Sequence, residues 1–247
     1  MNAETPPLQM TQFPVLVSLG HMGNTITFDD RSGYLAIPAS GGGPGVIVVQ
    51  EWWGLDSGIL TICDELADAG FVALAPDLYH GELAGHTEMD RAAELMTALP
   101  MDRAAHDMSA AVDHLLSRPE VTGDGVGVIG FCMGGMLTFA LAATRPDVVR
   151  VAVPFYGFPS GDDQPDYAAI TAVVRGHMAE HDDFFPPDAA VALQDRLTEL
   201  GVDAELRVHS GTGHAFMAPH NALGTRDAEL AASIWPEVHS ILRSTLN

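Results

Sequence analysis

The 247-residue chain is long enough to form one sizeable hydrophobic core, and its apolar residues are spread evenly, so we expect a single domain over residues 1–247. Acidic residues outnumber basic ones by 33 to 11, lysine is absent, and the net charge of −22 argues against nucleic acid or anionic membrane as a partner. Apolar runs too short to cross a bilayer, and an N-terminus without the order of a signal peptide, predict a soluble, cytoplasmic protein.

Alternating apolar and polar residues predict an antiparallel β-hairpin near the N-terminus. Its two arms are the stretches 26–28 and 34–37, with turn-forming residues between them at 29–33. After a glycine-rich break at 41–44, residues 46–49 form an unbroken apolar run of the kind found in strands buried on both faces. We expect this run to be a central strand.

Helical and strand-like segments then alternate to the C-terminus. Apolar residues at helical spacing over 56–69, closed by Gly70, predict the first helix. Further predicted helices cover 88–99, 101–116, 133–143, 188–200 and 228–242, and further predicted strands cover 71–75, 126–129, 149–153, 170–174 and 205–208. This alternation requires right-handed crossovers, hence an α/β fold with a mostly parallel sheet covered by helices on both faces. In such sheets the active-site residues lie in the loops at the carboxyl ends of the strands.

A cysteine stands in a sharp turn between the strand at 126–129 and the next helix. Residues 130–135 read Gly-Phe-Cys-Met-Gly-Gly, which places glycines two residues before and two after Cys132, where the turn brings backbone segments close together. The following helix offers its N–H groups and dipole to a thiolate or an oxyanion. We therefore expect Cys132 to be the nucleophile and the Met133 N–H to be an oxyanion donor. Cys63, on the apolar face of a predicted helix, is expected to be a core residue.

This nucleophile needs a histidine base and an acid, which follow it along the chain in the order acid, histidine. His214 lies in the glycine-rich segment 211–216 after the last strand, whereas His209 stands at the end of the strand itself. Asp182 and Asp183 follow the preceding strand, and each lies four residues before a proline, so their spacing does not separate them. One of the two would hold the imidazole tautomer.

The remaining histidines offer weaker candidates. A metal site formed by His177, His181 and Asp182 is an alternative. However, the loop does not hold these side chains at the i, i+4 spacing of a helix, and a metal site would leave Cys132 without a role. The sequence gives no comparable setting to His21, His220 and His239. We expect neither a metal nor a cofactor.

The loop after the central strand reads Gln-Glu-Trp-Trp-Gly over residues 50–54. In this architecture that loop carries the second oxyanion donor, which would be the N–H of Trp52. The paired tryptophans Trp52 and Trp53 can also form the wall of an apolar pocket, although either ring alone could instead cap the core at the surface.

Together these motifs closely resemble the dienelactone hydrolase family, also called carboxymethylenebutenolidases, over most of the chain. The likeness rests on the Gly-x-Cys-x-Gly turn at Cys132, Gln50-Glu51, Ala75-Pro76-Asp77-Leu78-Tyr79, Asp182-x-x-x-Pro186 and Gly213-His214-Ala215-Phe216. The resemblance implies an α/β-hydrolase fold and a small-molecule ester or lactone substrate. It also implies a thioacyl intermediate and a monomer or weak homodimer.

The resemblance also implies roles for individual residues. Asp182 would be the triad acid and Asp183 a neighbour. Glu51 would pair with the resting Cys132 and help to activate it when substrate arrives, since a carboxylate near a thiol otherwise opposes thiolate formation. Residues beside these motifs are expected to line the substrate pocket, namely Trp53, Tyr79, His80 and Phe216.

The chain departs from the family in the residues that hold the substrate carboxylate. The best-known members use arginines in two stretches that here read His80-Gly81-Glu82 and Met217-Ala218-Pro219. Unless His80 or a distant arginine substitutes, a neutral ester or lactone fits better. Alternatives are hydrolysis of a thioester or a halide-bearing acid and, from another class, a non-catalytic member that binds or senses a small ligand.

Overall fold

Eight strands and six α-helices make up residues 22–161 and 164–247, the part of the chain that the computed structural model describes. The strands are β1 (Asn24–Phe28), β2 (Arg31–Ala36), β3 (Gly43–Val49), β4 (Val72–Pro76), β5 (Val121–Phe131), β6 (Val149–Phe155), β7 (Val173–His181) and β8 (Ala204–Gly213). The helices are α1 (Ser57–Asp68), α2 (Met89–Ala98), α3 (Met101–Leu116), α4 (Met133–Thr144), α5 (Pro187–Glu199) and α6 (Ala228–Leu246), with a 3-10 turn over Tyr167–Ala169. None of the helices in these ranges is long and apolar enough to cross a membrane.

All eight strands join one sheet in the order β1-β2-β4-β3-β5-β6-β7-β8. β1 pairs antiparallel with β2, β2 pairs antiparallel with β4, and every other pairing is parallel. The predicted N-terminal hairpin is therefore confirmed, and β3 lies at the centre of the sheet as its unbroken apolar run indicates. The mostly parallel sheet with helices on both faces confirms the predicted α/β-hydrolase fold.

Each face of the sheet carries its own hydrophobic core. Side chains of β3 alternate between them, with Val46 and Val48 packing on the α1 and α6 side and Ile47 and Val49 on the side of α2 to α5. All four are fully buried, as expected for a strand with no polar face. Cys63 of α1 lies in the first core, where burial raises the pKa of its thiol far above the ordinary range. It is a packing residue, as predicted.

The strands that lead to the predicted acid and base are longer than the sequence pattern indicates. The predicted strand at 170–174 is observed as β7 from Val173 to His181, and β8 extends to Gly213. Polar residues interrupt the apolar pattern of both strands, but the buried His177 of β7 bonds to His209 of β8 at 3.0 Å. Because these polar groups satisfy each other, pairing of the strands continues to the edge of the sheet.

The turn that holds Cys132 forms because three glycines leave room for backbone contacts. Cys132 has φ 53° and ψ −115°, a conformation that costs a non-glycine residue roughly 1–3 kcal/mol. A Cβ added to Gly130 would lie 2.0 Å from the Gly134 carbonyl oxygen, and one on Gly134 would lie 2.4 Å from that of Val49. Gly157, which the sequence pattern did not single out, would bring a Cβ within 1.9 Å of the Cys132 carbonyl oxygen. Close backbone packing therefore holds the strained turn in place.

Substitution of Gly130 by alanine should destabilise the protein. The new methyl group would meet backbone atoms that cannot move aside, and overpacking of this kind lowers the free energy of unfolding by roughly 1–3 kcal/mol. Urea denaturation of Gly130→Ala and Gly85→Ala provides the comparison, since a Cβ on Gly85 meets the flexible end of Glu88. Equal midpoints for the two variants would contradict this account of the turn.

Candidate active site

Cys132 opens into a cavity of about 460 Å³ at the carboxyl edge of the sheet. The residue sits between β5 and α4, and its side chain is partly exposed. The same cavity is lined by Glu51 and Trp52 from the loop after β3 and by His214 from the segment after β8. Met133 and Trp53 line it as well, so the fold brings six of the predicted site residues to one cavity.

The surroundings of Cys132 favour the protonated thiol. Burial contributes most to raising its pKa, and the negative charges of Glu51 and Asp182 raise it further. The hydrogen bond from the Met133 N–H acts in the opposite direction but is outweighed. The helix N-terminus alone therefore does not produce a thiolate at rest, although the sequence suggested that it would favour one.

His214 is held by a buried carboxylate. Its Nδ1 lies 2.8 Å from Asp182 Oδ2, and both side chains are buried. The second oxygen of Asp182 accepts the N–H groups of Phe184 and Phe185 at 2.9 and 3.0 Å. Because the carboxylate can only accept there, Nδ1 of His214 carries the proton and Nε2 is left to act as an acceptor. Asp183, the other candidate acid, is exposed.

Aromatic rings surround the His214 imidazole. The ring of Phe185 stacks on it at a centroid distance of 5.7 Å, and Phe184 lies at 5.0 Å. Tyr156 meets it edge-on at 5.2 Å. These contacts fix the plane of the imidazole and keep water away from its bond to the carboxylate.

Glu51 has partners that the sequence did not indicate. The Tyr156 hydroxyl donates to its Oε1 at 3.3 Å, and His220 Nε2 lies 2.7 Å from its Oε2. Ala222 N–H donates to His220 Nδ1 at 3.0 Å, so Nε2 is the nitrogen that donates to the carboxylate. Among the described residues, the hydrogen-bond partners of this carboxylate are thus Tyr156 and His220 rather than the thiol of Cys132. The expected pairing with the resting cysteine is replaced by a charge effect on its pKa.

His220 and Tyr156 are therefore site residues that sequence reasoning missed. His220 has no special setting in the sequence, but the loop after β8 folds back and brings it to the cavity that His214 also lines. No spacing rule could have identified it. Tyr156 directly follows β6, so the general rule for the carboxyl ends of strands would have selected it.

The predicted pocket residues fall into two groups. Trp53 lines the cavity together with Trp52. Tyr79, also predicted to line the pocket, lies instead behind its wall, where its hydroxyl donates to the Met133 sulfur at 3.4 Å. His80 and Phe216 lie outside the cavity lining, which corrects the prediction for them.

The reasons for these two corrections differ. The sharp turn after β4 directs His80 to the surface, where its Nε2 bonds to Asp107 at 2.8 Å and its side chain is 44% exposed. Phe216 turns inward instead, into the core beside Tyr156, and has no exposed surface.

The alternative metal trio does not come together. His177 is buried inside β7, and burial together with nearby His209 and Arg207 lowers its pKa to about 3. His181 is exposed at the end of the strand, and Asp182 is engaged by His214. These groups have separate roles and do not share one ligand position.

A different group of possible metal ligands lies behind Trp53. Among the described residues, Asp56, His86 and His220 place donor atoms within 4.8 Å of one another. The two imidazole rings are stacked at a centroid distance of 4.1 Å, and His86 bonds to Asp56 at 2.5 Å. Stacked rings do not direct their lone pairs toward a common point, so the group acts as a chain of carboxylate–imidazole pairs that supports Glu51.

Known proteins resemble this chain in sequence and in fold. Protein usf of Aquifex pyrophilus is 39% identical over 206 residues, covering 79% of this chain and 87% of that protein. A protein of Aquifex aeolicus, named provisionally as a carboxymethylenebutenolidase, is 37% identical over 206 residues with coverage of 79% and 87%. A crystal structure from Klebsiella pneumoniae, named provisionally as a dienelactone hydrolase, superimposes with a TM-score of 0.76 at 27% identity, covering 88% of this chain and 95% of that chain.

A sequence profile of the dienelactone hydrolase family matches residues 31–246, which include every strand from β2 to β8 and all six helices. The profile and the Klebsiella structure agree with the observed fold. The chain therefore belongs to the dienelactone hydrolase family and is a hydrolase that acts on esters or lactones.

Proposed function

We propose that this chain cleaves a small ester or lactone by nucleophilic catalysis, with Cys132, His214 and Asp182 as the triad. The observation that carries the proposal is that Cys132 lines the same cavity as His214, whose Nδ1 is bonded to Asp182 at 2.8 Å. Nucleophile, orienting acid and base thus follow one another along the chain, after β5, β7 and β8, in the order typical of this fold.

The first half of the reaction transfers the acyl group to sulfur. His214 Nε2 takes the proton of the Cys132 thiol as the sulfur attacks the carbonyl carbon, and Asp182 stabilises the imidazolium that forms. The N–H groups of Met133 and Trp52 donate to the oxyanion. When the intermediate collapses, the carbon–oxygen bond breaks and His214 returns its proton to the departing alkoxide.

The second half releases the acid. Water, deprotonated by His214, attacks the thioester carbon, and the same two N–H groups stabilise the second oxyanion. The carbon–sulfur bond then breaks, and the proton held by His214 returns to sulfur. For a lactone, the alcohol and the acid leave together as one opened chain.

Glu51 keeps the nucleophile protonated between turnovers. Its negative charge adds to burial in raising the pKa of Cys132, so the thiol gives up its proton to His214 only as the sulfur attacks the substrate carbonyl. A resting thiol reacts slowly with oxidants and stray electrophiles. Glu51 therefore restricts the reactive form of the cysteine to the complex with substrate.

Replacement of Cys132 by alanine should abolish hydrolysis of p-nitrophenyl acetate and of small enol-lactones, because no other group in the cavity can form the thioacyl intermediate. Cys63→Ala is the matched control and should retain activity, since Cys63 is buried in the other core. Mass spectrometry of wild type quenched during turnover should detect one added acyl group on Cys132. Equal activity of the wild type and both variants would rule out Cys132 as the nucleophile, and ligand binding without turnover would support a sensing member of the fold.

The two adjacent aspartates allow a second test of the triad. Asp182→Asn should lower kcat by roughly 10³–10⁴-fold, because an amide can hold His214 in the wrong tautomer. Asp183→Asn removes the same charge from an exposed neighbour and should change kcat by less than about twofold. Comparable losses in the two variants would contradict the assignment of Asp182.

Glu51→Gln should shift the pH dependence of thiol reactivity toward lower pH. Removing the negative charge lowers the pKa of Cys132, so alkylation by iodoacetamide should proceed at lower pH than in the wild type. The measurement is the rate of modification of Cys132 across pH 6 to 10 in a Cys63→Ala background. Glu94→Gln, at an exposed position on α2, should leave the curve unchanged, and an unchanged curve for Glu51→Gln would exclude the proposed role.

A further inference from the structure

We propose that this site selects neutral esters or lactones that carry an extended apolar group, and that it excludes substrates with a free carboxylate. The inference rests on the proposed function, since it concerns the substrate of the Cys132 site. Two observations support it. The lining of the cavity is largely apolar, and none of the arginine side chains of the protein lines it.

Part of the cavity lining is built from flexible apolar side chains. Met96, Leu99 and Met101 come from the corner between α2 and α3, and Met136 comes from α4. Met96 and Met101 are 39% and 50% exposed, so this wall continues to the mouth of the cavity. Unbranched methionine side chains adapt to ligands of different shape, which suits an alkyl chain or an aryl ring.

No fixed positive charge faces this space. The chain has no lysine, and all eleven arginines lie within the described residues, yet none of them lines the cavity. The groups in the lining that can carry charge are Glu51, His214 and His220. His214 is already paired with Asp182, and a proton on His220 would only balance the charge of Glu51.

A carboxylate placed in this cavity would therefore lose its hydration without gaining a cationic partner, because His214 and His220 are already engaged by Asp182 and Glu51. Burial of an unpaired anion is among the most costly events in a binding site. The net charge of −22 adds repulsion before contact, since it lowers the local concentration of anions near the protein. A neutral substrate experiences neither effect and gains from contact with the apolar wall.

The size of the cavity indicates how large the apolar group can be. A volume of about 460 Å³ lies within the range of sites for small organic ligands. From Cys132 the wall of methionines leads to the mouth, so an acyl or alkoxy chain of several carbons can lie along it. Each methylene buried there should raise kcat/KM by up to roughly fourfold until the mouth is reached.

The test compares two esters that differ in one terminal group. p-Nitrophenyl hexanoate ends in a methyl group, whereas mono-p-nitrophenyl adipate has a carboxylate at the same end of a chain of equal length. After correction for the reactivity of each ester with a small free thiol, wild type should prefer the hexanoate by about tenfold or more in kcat/KM. A ratio near one would overturn the proposal.

A charge variant at the wall provides the matched control. Met101→Arg places a cation at the exposed rim and should reduce the preference for hexanoate severalfold. Met89→Arg adds the same charge to an exposed position of α2 outside the lining, and it should leave the preference unchanged. Equal effects of the two variants would mean that the overall charge, rather than the wall of the cavity, causes the selection, and would overturn the proposal.

Alkylation of Cys132 separates failure of this inference from failure of the proposed function. In a Cys63→Ala background, iodoacetamide should modify Cys132 faster than iodoacetate by a ratio about tenfold above that of a free thiol. If esters are not hydrolysed but this ratio holds, the proposed function fails and exclusion of anions stands. If hydrolysis depends on Cys132 but the adipate and hexanoate react alike and the ratio matches that of a free thiol, only the substrate inference fails.

Discussion

The site depends on close contact between backbone segments around Cys132. Gly130 and Gly134 allow the end of β5, the start of α4 and the end of β3 to approach more closely than any side chain would permit, and Gly157 does the same for β6. This packing holds the cysteine at φ 53°, where it projects from the sheet at the start of a helix. The proposed partners of the cysteine, Asp182 and His214, follow β7 and β8 at the same carboxyl edge of the sheet.

Two opposing influences act on the thiol in that position. Burial and the charge of Glu51 raise its pKa, whereas the Met133 N–H lowers it, and the first two prevail. A thiol in this environment needs a base that is correctly oriented before substrate arrives. The bond between His214 and Asp182 and the surrounding aromatic rings supply that orientation, so in the proposed mechanism reactivity depends on geometry rather than on a standing thiolate.

Most of the fold and the centre of the site could be predicted from the sequence because both depend on local signals. A few consecutive residues are enough to recognise the apolar run of β3 and the glycines beside Cys132. The same is true of the residues that follow each strand. The ends of β7 and β8 could not be predicted, since the polar His177 is accommodated only by its contact with His209 in the neighbouring strand. His80 likewise faces the surface because of the turn after β4, which its sequence neighbours do not reveal.

The residues around Glu51 link the control of the nucleophile to the choice of substrate. Its carboxylate is held by Tyr156 and His220, and His220 in turn stacks on His86, which bonds to Asp56. Apart from Tyr156, these side chains are carboxylates and imidazoles, with no guanidinium among them, so they add no fixed positive charge to the cavity. An arginine there would offset the charge of Glu51, lower the pKa of the thiol and attract anions at the same time. The absence of arginine from the cavity lining therefore leaves the charge of Glu51 to add to the effect of burial on the thiol pKa, and it is the same feature on which the proposed selection of neutral substrates rests.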